Sequence, residues 1–185
     1  RQTDGKLTRA DSVHMTLLFL GDTPVERLRM LEELAATVAF EPFTLDIGRV
    51  GCWKHNQIAW VAPPTTPPPL ARLVEQLERG AAAREFPVET RPFAPHLTLI
   101  RKARCAGLDW ARGAGLDRAR GAGLDRARGA GLDRARGAGL DWARGAGLDV
   151  DPPPIRWDVR EFVLVRSELG QGGSRYHPIG RWPAV

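Results

Sequence analysis

From Val13 to Leu20 nearly every position is apolar or favours β structure, and Gly21 with Asp22 closes the run as a turn does, which predicts a strand. The next segment predicts a helix over about 24–39. Thr23 is placed as its N-cap, Pro24 fits the first helical position and Glu26 completes a T-x-x-E capping box. Leu28, Leu31, Leu34, Ala35 and Val38 then recur at helical spacing, so one face is built to pack on a sheet. FTLDIGRVGCW alternates apolar and polar residues, turns around Lys54 to Asn56 and is answered by QIAWVAP, which predicts an antiparallel hairpin over 43–62. PPTTPPP breaks both patterns and reads as a stiff connector, because an imino acid fits neither a central strand nor a helix interior. Leu70, Leu73, Val74 and Leu77 predict a second helix that weakens at Gly80. A strand is expected within VETRPFAPHLTLIRKA, and two more in IRWDVREFVLVRSEL and SRYHPIGRWP, joined by the turn GQGG.

Strand, helix, hairpin, helix, strand is the order of an α+β domain with two related halves, not of a doubly wound parallel sheet. Between them and the tail lies a tract of another kind. GLD begins at 107, 115, 123, 131, 139 and 147, an eight-residue repeat. Two glycines per unit disfavour a helix, and eight residues do not return to one helical face. GAGLD fits part of a calcium-binding β-roll, but that roll uses nine-residue units with a large apolar residue where this tract has alanine. The tract, 106–152, is therefore expected as a low-complexity, largely disordered surface insertion, with a regular solenoid or helical spur as the alternative.

Composition narrows the partners. Lys and Arg number 27 against 22 Asp and Glu, a net +5 over 185 residues, a mild bias towards anionic ligands such as phosphate esters or nucleic acid. Within the repeats eight Arg face six Asp, too even a balance for a strong grip on nucleic acid. No apolar run approaches the roughly 20 residues that span a bilayer, and the polar start lacks a signal-peptide core, so a cytoplasmic protein without a membrane partner is expected. Cys52 and Cys105 form no CxxC pair or disulfide framework and read as ordinary thiols.

Candidate chemistry comes from one motif present twice. HMTL at His14 and HLTL at His96 each place a histidine and a threonine two residues apart, which in a strand puts both on one face. One such histidine is usually structural; two copies in related halves can converge as an acid and base pair with two hydroxyls. Such a cleft suits hydrolysis of a phosphodiester: a neutral imidazole draws a proton from water, an imidazolium protonates the leaving oxygen and hydroxyls hold the phosphoryl oxygens. A zinc site lacks further ligands such as HExxH, and a serine hydrolase lacks G-x-S-x-G.

HMTLLFLG, FAPHLTLIRKA and FVLVRSELGQGGSRYHPIGRWP together resemble the RNA 2′,3′-cyclic phosphodiesterases, LigT-like or 2′-5′ RNA ligases, of the two-histidine phosphoesterase superfamily. The resemblance covers 8–105 and 153–185. It implies a bilobal α+β fold, two pseudo-symmetric antiparallel sheets around a central groove with outer helices, forming one domain from 1–105 and 153–185. It implies metal-independent opening of a 2′,3′-cyclic phosphate to a 2′-phosphate, with no cofactor. The substrate would be an RNA end or cyclic nucleotide, and the protein a monomer. By the same resemblance His96 is the general base, His14 the general acid, Thr16 and Thr98 bind phosphate oxygens and Arg101 lies near the product phosphate. Strict alternation from His96 would turn Arg101 to the other face, so the strand must end or bulge before it. Two alternatives stay open: ligation of tRNA halves through a 2′-5′ bond, and a non-catalytic RNA-binding remnant. Relatives begin with a further strand and helix, so the chain is also expected to be N-terminally truncated. Phe93, Tyr176 and His177 could approach the groove but are expected to have structural roles, and His55 is expected to be solvated in the hairpin turn. Trp53 and Trp60 are expected to pack together across the hairpin.

Overall fold

The computed structural model describes residues 5–105, 155–170 and 173–185. The repeat tract lies outside them. The chain forms two compact units. In described residues the first comprises 5–14, 47–64 and 96–105 with Ile155, and the second comprises Met15–Asp46, Thr65–Pro95 and Arg156–Val185.

The first unit is a four-stranded antiparallel sheet of β1 (Lys6–Leu7), β3 (Arg49–Trp53), β4 (Ile58–Ala62) and β5 (Leu97–Arg101), in the order β1-β5-β4-β3. The hairpin of β3 and β4 turns at 54–57, with Gln57 in the left-handed region at φ 56°. Behind this sheet Cys52, Ala59, Ile100, Ala103 and Cys105 form a small apolar cluster. There the two cysteines are joined as a disulfide, Cα atoms 5.7 Å apart. That corrects the reading as separate thiols. Residues distant in sequence converge because the chain turns back after β5, where Ala103 N–H donates to Gln57 O at 2.8 Å.

The second unit packs helix α1 (Leu28–Ala36) and helix α2 (Pro68–Ala82) with two small sheets. One pairs β2 (Phe43–Ile47) with β6 (Ile155–Val159), and the other pairs β7 (Glu161–Gly170) with β8 (Gly173–Pro183) in an antiparallel hairpin. Its core joins Ala35 on α1, Leu73 and Leu77 on α2, Phe40, and Phe162 on β7, whose ring stacks with Trp182 at 5.5 Å. The helical spacing thus buries Leu31, Leu34 and Ala35 on α1 and Leu70, Leu73, Val74 and Leu77 on α2, whereas Leu28 is only partly buried and Val38, also partly buried, lies beyond the end of α1 at Ala36.

Several expected boundaries move. The run 13–20 is not a strand; only Met15 makes a bridge. An apolar run becomes a strand only where a neighbouring edge completes a ladder, and the pattern cannot supply that edge. The Thr23 capping box does not form. Pro24, with ψ 141°, stands outside a 3-10 turn at Val25–Arg27, and the α-helix begins only at Leu28. The stretch 43–53 divides at Gly48 into β2 and β3, which join different sheets. Pro68 and Pro69 open α2 instead of belonging to the connector, since the first helical turn needs no N–H donors. The same helix runs through Gly80, where a Cβ would come within 2.0 Å of Leu34 Cδ1. The glycine permits close approach of α1 and α2, which offsets its poor helix propensity. The strand expected in 88–103 is confined to Leu97–Arg101.

Candidate active site

β5 carries Thr98 and Arg101, with His96 just before it, and its pairing determines which side chains meet. β4 aligns Trp60 with Thr98 but Ala59 with Ile100, so Leu99 is an extra residue in β5. Its carbonyl is held from the other edge by Thr8 N–H at 2.7 Å. A one-residue bulge reverses the parity of the strand beyond it. Ile58 lies opposite Arg101 and shares a face with Trp60, so Arg101 points the same way as Thr98. The bulge required by the sequence conflict at Arg101 is present.

The same face gathers further groups. Lys6 lies opposite Arg101 across β1 and β5. Arg49, Gly51 and Trp53 alternate onto it from β3. The Arg49 guanidinium lies 5.5 Å from the Trp60 ring, and burial pushes its pKa below the ordinary arginine value. Trp53 packs against Trp60, ring centroids 5.4 Å apart, as the hairpin pattern suggested. Its indole also meets His96 at 4.6 Å and 74°. That contact places the imidazole on the face of Thr98 and Arg101. Sequence reasoning missed Trp53 as a neighbour of His96, because only the pairing of β4 with both β3 and β5 brings them together.

Gly51 makes this arrangement possible. A Cβ there would lie 2.1 Å from Trp60 Cζ2, and Trp60 is 1% exposed, so the ring cannot move aside. Gly51→Ala is expected to destabilise the protein by about 1–3 kcal/mol through overpacking, measured by urea unfolding. Wild-type stability in the variant would contradict a ring lying flat on that glycine.

His14 follows a short turn of its own. Arg9 pairs with Asp11, Ser12 Oγ donates to Asp11, and the 3-10 turn Ala10–Ser12 presents the Ser12 carbonyl to the ring. His14 Nδ1–H donates to Ser12 O at 2.8 Å. A carbonyl oxygen can only accept, so Nδ1 carries the proton in this contact. His14 belongs to the same unit as β5, whereas Thr16, which is exposed, belongs to the second. No ladder runs through Thr16 to align it with His14, as the strand reading required. Tyr176 and His177 sit on β8, where His177 Nε2 lies 3.5 Å from Glu168 Oε2, and His55 is exposed in the hairpin turn. Phe93 is half-buried. Among the described residues no cluster of three His, Cys, Asp or Glu side chains could hold a metal, and no helix is long and apolar enough to cross a membrane.

Several known proteins are similar to this chain. RNA 2′,3′-cyclic phosphodiesterase of Escherichia coli (strain K12) is 27% identical over 180 residues, covering 96% of this chain and 79% of that protein. The protein of the same name from Bacillus subtilis (strain 168) is 33% identical over 93 residues, 48% of this chain and 51% of that one. The crystal structure of E. coli LigT complexed with 3′-AMP superposes with a TM-score of 0.67 at 27% identity, covering 97% of this chain and 81% of that one. The apo form gives 0.66 at 26% identity, with 97% and 80% covered. These neighbours share the α+β fold of two-histidine phosphoesterases. The 2′-5′ RNA ligase superfamily matches residues 1–111, more than half of the sequence, and the chain belongs to that superfamily.

Proposed function

We propose that this chain hydrolyses the 2′,3′-cyclic phosphodiester of an RNA end or nucleotide to a 2′-phosphate, without a metal or cofactor. The observation that carries the reading is the bulge at Leu99, which groups Thr98, Arg101 and the imidazole of His96 on one sheet face. His96 takes a proton from water as the water attacks phosphorus. His14 protonates the departing O3′ through Nε2, its Nδ1–H held by Ser12 O. Thr98 donates to a non-bridging oxygen, and Arg101 neutralises the charge of the phosphoryl group. Lys6 and Arg49 on the same face add positive charge suited to a phosphate ester. A relative named for this activity that matches 96% of the chain, and a neighbour solved with 3′-AMP, support the same substrate class.

The reading extends to one bilobal phosphoesterase domain, 1–105 and 153–185, interrupted by the repeats at 106–152, acting as a cytoplasmic monomer. The test is turnover of a 2′,3′-cyclic nucleotide in excess EDTA, followed by ³¹P NMR. A 2′-phosphate product formed at the same rate with and without EDTA is expected. A 3′-phosphate product, turnover abolished by EDTA, RNA binding without turnover, or joined tRNA halves with no hydrolysis would each overturn it.

A further inference from the structure

We propose that Trp53 is a positioning residue for His96, a role that rests on the reading of His96 as general base. His96 precedes Leu97, the first residue of β5 to pair with β4. There, just before the ladder begins, the imidazole meets the indole of Trp53 edge-to-face at 4.6 Å, an aromatic wall against one side of the ring. Trp53 is itself backed by Trp60 at 5.4 Å. Trp60 is fully buried and lies against the bare backbone of Gly51. An unbroken series of contacts thus leads from the middle of β3 through two indoles to the imidazole.

The arrangement has a chemical purpose. A general base must keep its nitrogen within about 3.2 Å of the proton it removes, and a displacement near 1 Å costs about 100-fold in rate. Histidine turns about two side-chain bonds, and an aromatic wall at van der Waals distance restricts both. Trp53 acts on the rate of the chemical step through His96 and not on substrate affinity.

The test compares Trp53→Ala, Trp53→Leu and Trp53→Phe in the full chain with a 2′,3′-cyclic nucleotide. Trp53→Ala and Trp53→Leu are expected to lower kcat about tenfold or more with KM within about twofold, and Trp53→Phe to restore most of the rate. The His96 ring-proton signals, displaced by the indole ring current, should move in the alanine and leucine variants. If Trp53→Ala does not fold, the leucine and phenylalanine variants still decide, because both keep apolar bulk and only one keeps an aromatic edge. Unchanged kcat in folded Trp53→Leu, a loss expressed wholly in KM, or unmoved His96 signals would overturn the proposal while leaving the general-base reading intact. An inactive wild-type protein would overturn both.

Discussion

Replacing His96 by alanine is expected to reduce turnover of a 2′,3′-cyclic nucleotide by about 10²–10⁴-fold, the usual worth of a general base, with little change in KM. The physical basis is that water at neutral pH is a poor nucleophile towards a phosphodiester unless its proton is removed as it attacks. Thr98 and Arg101 would still hold the phosphate in such a variant, so binding survives while chemistry fails. His14→Ala should cost a comparable factor for a different reason: the O3′ leaves as an alkoxide unless it is protonated. The two losses should not multiply, because base and acid act in one concerted displacement. A substrate with a leaving group that needs no proton separates them. With it, His14→Ala should recover most of the wild-type rate and His96→Ala should not. Near wild-type kcat in His96→Ala with the natural leaving group would remove this histidine from the mechanism. Recovery in His96→Ala instead of His14→Ala would exchange the two roles.

How much of this was legible depends on whether a feature is specified locally or by a partner. Helix α2 and the hairpin of β3 and β4 were readable because Leu70, Leu73, Val74 and Leu77 share one helical face, and 43–62 alternates around a turn. The start of α1 was not. A capping box is a local possibility, and here the chain takes a 3-10 turn first. The strand expected at 13–20 failed for a tertiary reason, since its apolar residues say that it is covered and not that it has a neighbour to pair with. Three of those residues, Leu17, Leu18 and Leu20, do pack on the cores of the second unit. In the candidate site, the motif drew attention to His96, Thr98 and Arg101, and a conflict of parity called for the bulge that β5 shows. Lys6 and Trp53 escaped, because one belongs to a two-residue strand without a pattern and the other meets His96 only through pairing of distant segments.

Loss of the Cys52–Cys105 bond is the second large effect expected, and it bears on the same sheet from behind. The bond closes a loop of 53 residues in sequence separation. Restricting the unfolded chain over such a loop corresponds to about 4 kcal/mol in the chain-entropy account. For a chain of this length that is about 8–16 °C in melting temperature. Apolar burial alone is a weak substitute: the cluster around the bond is Ala59, Ala103 and Ile100, two of them with single-methyl side chains. The bridge ties β3, which carries Trp53 next to Cys52, to the segment just beyond Arg101. Reduction should therefore loosen both sides of the proposed site before it unfolds the helices, which belong to other core clusters. Melting followed with and without dithiothreitol, and again in the Cys52→Ala, Cys105→Ala double variant, checks this. The reduced protein and the double variant should melt together, well below the oxidised protein. Equal melting temperatures for oxidised and reduced protein would show that the two sulfurs contribute as packed thiols and that the bond does not constrain the chain.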